Sequence, residues 1–72
     1  MSSPVTRISA GTFDGQPVVY WAWRFDGYVD VHVTEPGQYP DGSEPVSELH
    51  PTVADARRWV REWNATERML NF

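Results

Sequence analysis

Cysteine and lysine are both missing from this chain, and it contains no long apolar run. Without cysteine, no disulfide can cross-link the fold and no thiolate metal site can form. The first residues have no apolar core of signal-peptide length, and no segment approaches the roughly 20 apolar residues that cross a membrane. These absences predict a cytoplasmic protein without a membrane segment.

The length of 72 residues predicts a single small domain, 1–72. A domain of this size buries only about 60% of the surface that its unfolded chain exposes. Four Trp, three Tyr and three Phe supply the large side chains, and each buried aromatic removes about 150–250 Å² from water. Association with a second copy or a partner is the other source of stability that such a small chain can use.

The net charge is −4, and the acidic residues are unevenly placed. Residues 1–52 contain most of the acids, whereas residues 53–72 contain four of the six arginines. Neutralisation of phosphates supplies most non-specific affinity for nucleic acid, so an acidic chain is a poor general binder of it. The charge therefore favours a protein partner and makes a nucleic-acid partner unlikely.

Residues 18–34, VVYWAWRFDGYVDVHVT, predict a β-hairpin. Two runs rich in β-branched and aromatic residues flank Asp26-Gly27, a dipeptide typical of a two-residue hairpin turn. Such a turn places Phe25 opposite Tyr28 and continues to Val19 opposite Thr34.

Because side chains alternate across a sheet, the two faces of this hairpin differ. The valine face, which is ordinary core material, consists of Val18, Tyr20, Ala22, Val29, Val31 and Val33. The aromatic face consists of Trp21, Trp23, Phe25 and Tyr28, with Asp30, His32 and Thr34 among them.

The aromatic face has two interpretations. Trp and Tyr dominate the binding energy of interfaces, and a contiguous exposed apolar patch is typical of a contact surface. Alternatively, the face forms a second small core, covered by the proline-rich loop or by the C-terminal Met69, Leu70 and Phe72. The first interpretation is preferred, because antiparallel sheets commonly leave one polar face to solvent and this face is not polar.

Residues 5–13 predict a first strand after a frayed tail, 1–4, and Asp14-Gly15 predicts a second hairpin turn. A two-residue loop would place Ile8 opposite Trp21 on the aromatic face. A three-residue loop with Gly15 in the left-handed region would place Ile8 opposite Ala22 on the valine face, and it is preferred because it adds an aliphatic group to the core.

Residues 35–51 contain four of the six prolines and show no periodicity, which predicts a loop. Thr52 then predicts a helix N-cap, with Asp55 as the reciprocal member of a capping box. Apolar residues recur at helical spacing from Val53, which predicts a helix over 53–69 with one apolar stripe.

The elements together predict an α+β fold: a three-stranded antiparallel meander followed by one C-terminal helix that packs on the valine face (β-β-β-α). The aromatic meander and the helix opened by Thr-Val-Ala-Asp-Ala-Arg-Arg-Trp resemble, over residues 18–63, the small DNA-binding arm domains of phage-type integrases. In that family a basic sheet face enters the major groove, whereas the sheet region here is acidic. The resemblance implies a common shape and no binding residues.

Two further groups of residues have candidate roles. Four residues of the helix lie within about 60° of arc and form an arginine ridge: Arg57, Arg61, Asn64 and Arg68. This ridge could bind phosphates or an acidic partner, or it could simply be a solvated helix face. Asp30 and His32 are two strand residues apart, about 6–7 Å, which is too far for a direct hydrogen bond unless their rotamers bring the side chains together. With no nucleophile or third ligand beside them, the sequence predicts no enzyme, no metal and no cofactor.

The sequence thus predicts a small non-enzymatic interaction protein, an inhibitor or adaptor of the kind that phages and mobile elements encode. Its predicted contact with a protein partner or a second copy is made by Trp21, Trp23, Phe25 and Tyr28. The alternative is a nucleic-acid-binding regulator that uses the arginine ridge.

Overall fold

The fold consists of one three-stranded antiparallel sheet and one helix. The computed structural model of the protein describes residues 4–43, 46 and 49–70. The elements are β1 (Val5–Phe13), β2 (Gln16–Phe25), β3 (Tyr28–Thr34) and α1 (Val53–Leu70). The strands are arranged β1-β2-β3, so β2 is central and the chain is a meander followed by the helix, as predicted.

The β2–β3 hairpin has the register that Asp26-Gly27 predicts. Phe25 pairs with Tyr28, and the pairing continues without a shift to Val19 opposite Thr34. Gly27 has φ +86°, a left-handed conformation that glycine adopts without steric cost. The alternation of the two faces along this hairpin is therefore confirmed.

The preferred three-residue loop between β1 and β2 is wrong. Asp14 and Gly15 both have positive φ, 53° and 78°, and Phe13 pairs directly with Gln16 across a two-residue turn. A β-bulge between Arg7 and Ser9 shifts the register instead. Ile8 nevertheless packs against the core, because the bulge supplies the extra residue that the loop was expected to supply.

The helix begins directly after Thr52. The Asp55 amide donates to Thr52 Oγ1 (3.2 Å), and the Thr52 hydroxyl donates to Asp55 Oδ2 (2.9 Å). The Ala56 amide donates to the Thr52 carbonyl at 3.1 Å, the first bond of the helical ladder. The capping residue thus satisfies an amide that would otherwise lack a partner at the helix N-terminus.

The helix packs on the valine face, as predicted. Burying each large aliphatic side chain stabilises the fold by about 1.5–3 kcal/mol. The core cluster consists of Tyr20, Ala22, Val29, Val31, Ala56 and Val60. Trp59 and Trp63 are partly buried against this cluster, and their rings stack with centroids 5.7 Å apart.

Val46 and His50, which precede the helix, bond to the outer edge of β3. Val29 and His50 exchange two backbone hydrogen bonds, at 2.7 and 2.8 Å, and the Val46 amide donates to the Val31 carbonyl at 2.7 Å. At the other end of the chain, the Pro4 carbonyl accepts a hydrogen bond from the Arg24 amide, while residues 1–3 of the expected tail lie outside the described residues. In the described part of the chain, no helix has the length and apolar character needed to span a membrane.

Candidate functional site

The aromatic face contains a continuous stack of rings on the β2–β3 hairpin. Trp23 and Phe25 are alternate residues of β2, and their rings are nearly parallel, with centroids 6.2 Å apart and an interplanar angle of 9°. Phe25 stacks in turn on Tyr28 across the turn, at 4.9 Å and 15°. The strand alternation and the two-residue turn thus bring three of the four predicted contact residues into one row.

The segment 35–43 lies over the other end of this face. Tyr39 contacts the Trp21 ring with centroids 5.2 Å apart, and Trp21 Nε1 donates to Thr34 Oγ1 at 2.8 Å. Pro40 is buried, and a Cβ atom at Gly42 would lie 3.2 Å from Trp23 Cη2, so the segment passes close over the Trp23 ring. The proline-rich loop therefore covers part of the aromatic face.

The 35–43 segment covers two of the four predicted contact residues and leaves the other two exposed. Trp21 and Trp23 are half-buried under the 35–43 segment. Phe25 and Tyr28 remain 42% and 36% exposed at the turn. The two interpretations of the face thus apply to different parts of it: a second small core around the tryptophans, and an exposed aromatic tip formed by Phe25 and Tyr28. Met69 is 71% exposed on the helix, which packs against the opposite face of the sheet.

His32 is buried at the centre of the covered part. Its side chain contacts the Trp23 ring (centroids 5.1 Å apart) and its Nε2 lies 4.0 Å from Asp30 Oδ2, beyond hydrogen-bond distance. Within the described residues Nε2 has no hydrogen-bond partner. Burial lowers the pKa of His32, and the nearby carboxylates of Asp30 and Asp41 oppose this effect in part. The imidazole is therefore neutral at pH 7.

A cavity of about 300 Å³ lies beside His32, between β3 and the 35–43 segment, and Thr34, Tyr39 and Asp41 contribute to its wall. Ser43 donates to Asp41 Oδ1 from both its amide and its hydroxyl, and these bonds lower the pKa of Asp41. Within residues 4–43, 46 and 49–70, no three His, Asp or Glu side chains form a group that could hold a metal ion.

The arginine ridge lies in the groove between α1 and β1. Its four members line one cavity of about 460 Å³ together with Ile8, Ser9, Ala10 and Val60. Asn64 is the member closest to the sheet, because its Oδ1 accepts a hydrogen bond from the Thr12 amide at 3.2 Å. The structure thus brings together the four residues that share one side of the helix: Arg57, Arg61, Asn64 and Arg68.

Two structural roles were not predicted from the sequence. His50 joins the loop to β3, and its ring contacts Trp59 with centroids 5.8 Å apart. Glu67 is buried at 7% exposure, and its Oε1 accepts a hydrogen bond from the Asp14 amide at 2.6 Å. The sequence feature that could have identified this role is the position of Glu67 in the apolar stripe of the helix, because a carboxylate buried there requires a hydrogen-bond donor.

No protein-family model matches this chain, and neither a curated protein nor a solved structure matches it. The candidate sites are therefore defined by their own geometry: the exposed aromatic tip of the hairpin, the covered tryptophans with His32, and the arginine-lined groove.

Proposed function

We propose that this protein is a small non-enzymatic interaction module that binds a protein partner, or a second copy, through its exposed aromatic tip. The tip consists of Phe25 and Tyr28, and Trp23 supports it from the covered side. The proposed contact surface is smaller than the one predicted from the sequence, because Trp21 is half-buried and its ring lies against Tyr39.

The observation that carries this proposal is the exposure of two stacked aromatic rings at a hairpin turn. Phe25 is 42% and Tyr28 is 36% exposed, although both are large and the face behind them is covered. Stacking fixes the rings before any partner arrives, so little side-chain entropy is lost on binding. Aromatic side chains held in this way are typical of the few residues that dominate an interface.

The test compares wild-type protein with the double variant Phe25→Ala/Tyr28→Ala and with the control Met69→Ala. Met69 is also large, apolar and exposed, but it lies on the helix. In one assay, wild type and variants are immobilised, and the proteins that they bind from the native host are quantified by mass spectrometry. In a second assay, sedimentation velocity over a concentration series measures self-association.

We expect the tip variant to weaken the contact by at least about 30-fold, and the Met69 control to change it by less than about twofold. Circular dichroism and urea unfolding establish that both variants stay folded. The proposal is wrong if wild type, tip variant and control capture the same proteins in equal amounts and all three sediment as monomers.

A nucleic-acid-binding regulator is the second candidate, and the clustering of the arginine ridge favours it. Arg57, Arg61 and Arg68 line one groove rather than separate surfaces. Phosphate contacts would give a steep loss of affinity with salt, about one unit of slope in log K against log[salt] for each neutralised phosphate. A titration of duplex DNA at two salt concentrations distinguishes this candidate from a protein contact through the aromatic tip.

A further inference from the structure

The groove between β1 and α1 combines a strand edge with a row of cations. Strand and helix run in the same direction here: Thr12 contacts Asn64, and Asp14 contacts Glu67 further along both elements. The groove continues past Asn64 into a second cavity of about 410 Å³ beside Gly11 and Thr12. It is therefore an elongated surface that follows β1.

The backbone of β1 presents hydrogen-bonding groups to this groove. The Thr12 amide points away from β2, since it donates to Asn64 on the helix. In an antiparallel ladder the amide and carbonyl of alternate residues point to the same side, and the pairing is regular from Ser9 to Phe13. The amide and carbonyl of Ala10 therefore also point away from β2, and Ala10 lines both cavities of the groove.

The arginines beside this edge have no carboxylate partner within the described residues. The ion pair of α1 joins Arg58 to Asp55 on another side of the helix. The side chains of Arg57, Arg61 and Arg68 are exposed, although the chain has ten acidic residues and a net charge of −4. The groove is thus a local cationic surface on an acidic protein.

We propose that this groove binds an acidic peptide in extended conformation, which adds to the sheet as a strand next to β1. The backbone of the peptide pairs with Ala10, and carboxylates on its helix-facing side pair with the arginines. Arg57 and Arg61 are four helical residues apart, about 6 Å along the axis. Side chains on one face of a strand repeat about every 6.6–6.8 Å, so acidic residues at alternate positions match this spacing.

Charge also favours an acidic peptide over a second copy of the chain as the occupant of the groove. Two-fold pairing of β1 with β1 of another copy would place both helices on the same face of a continuous sheet, with an arginine ridge on each side of the shared edge. Like charges facing each other across an interface oppose association. A nucleic acid has no peptide backbone to pair with Ala10, and the net charge of −4 repels it.

The test is an NMR titration of ¹⁵N-labelled protein with a capped synthetic peptide, Thr-Glu-Val-Glu-Val-Glu-Thr. Two matched probes accompany it: the same peptide with Gln in place of Glu, and an oligothymidylate. We expect saturable shifts at the Ala10 amide and at the arginine side chains, with affinity for the Gln peptide lower by at least about tenfold.

Three variants separate the two parts of the site. The double variant Arg57→Gln/Arg61→Gln should lower the affinity for the Glu peptide by about tenfold or more. The control Arg58→Gln, on the same helix but off the ridge, should change this affinity by less than about twofold. Ala10→Pro removes the edge donor without changing charge, and proline is tolerated where a strand amide points away from the ladder. Ala10→Pro should also lower the affinity for the Glu peptide by at least about tenfold.

The proposal is overturned if no saturable shift occurs at about 2 mM peptide, if the oligothymidylate binds more tightly than the Glu peptide, or if Ala10→Pro binds as the wild type does. Urea unfolding of each variant identifies any loss of fold, and the arginine pair decides the outcome if Ala10→Pro does not fold. The site does not involve Phe25 or Tyr28, so the tip variant should bind the peptide normally whether or not the tip is a contact.

Discussion

Gly11 is a position where helix and sheet approach closely, and it supports a quantitative prediction. A Cβ atom at Gly11 would lie 2.4 Å from Asn64 Oδ1 and 2.7 Å from Asn64 Nδ2. Favourable contacts between heavy atoms lie near 3.5–4.0 Å. The change Gly11→Ala therefore forces the Asn64 amide to withdraw by about 1 Å, which breaks its 3.2 Å hydrogen bond to Thr12.

The expected cost can be estimated from three terms. Overpacking costs about 1–3 kcal/mol, and loss of one hydrogen bond costs about 0.5–1.5 kcal/mol. Replacing glycine by alanine restores about 0.4–1 kcal/mol through the unfolded chain, because the φ of Gly11 is not in the left-handed region. We expect Gly11→Ala to lower the free energy of unfolding by about 2 kcal/mol, within a range of about 0.5–4 kcal/mol. The central value is equivalent to a fall of about 8–16 °C in Tm.

A double-mutant cycle with Asn64→Ala tests the cause. Asn64→Ala alone should cost about 1 kcal/mol, the value of the lost hydrogen bond. In that background the Asn64 amide no longer opposes a Cβ atom at residue 11, so Gly11→Ala should stabilise the protein by about 0.5 kcal/mol. The free energy of unfolding is measured in urea by tryptophan fluorescence and far-ultraviolet circular dichroism. The steric explanation is refuted if the two changes are additive within about 0.5 kcal/mol.

Two further predictions concern the core and pH. Val31 is fully buried between sheet and helix, so Val31→Asp should lower the free energy of unfolding by about 3 kcal/mol or more and abolish the cooperative melt. The control Met69→Asp should melt like wild type. A cooperative melt of Val31→Asp would contradict the placement of the core. Burial lowers the pKa of His32 below its ordinary 6.5, so the unfolded chain binds the proton more readily and stability should fall as pH decreases below about 6.5. His32→Phe should flatten this dependence of the free energy of unfolding between about pH 7 and 5. Equal slopes for the two proteins would exclude His32 as the origin of the dependence.

The parts of the fold that local chemistry specifies could be predicted from the sequence. Asp26-Gly27 defines the turn and therefore the register from Phe25–Tyr28 onward, and alternation then assigns each side chain to a face. Thr52 and Asp55 mark the start of the helix because the capping bonds are local in sequence.

The remaining features depend on contacts between distant residues. The bulge at Ile8 is not marked by glycine or proline, and it exists because the strand must satisfy both the Asp14-Gly15 turn and the core. The 35–43 segment has no periodicity, so its position over Trp21 follows from tertiary packing. The arginine ridge was predicted as one side of a helix, but its location beside Ala10 required the relative placement of helix and strand.

The backbone bonds between Val29 and His50 have a consequence for how this sheet can grow. Head-to-tail stacking of sheets, which produces open-ended fibres, requires β1 of one molecule to pair with β3 of the next. At Val29 and Val31 the β3 edge already holds the chain's own returning segment. If a strand adds to β1, it therefore extends a sheet whose far edge is already hydrogen-bonded at these two residues. We expect this to oppose the addition of a further molecule at β3. Val46 and His50, which precede the helix, thus restrict growth of the sheet at the β3 edge.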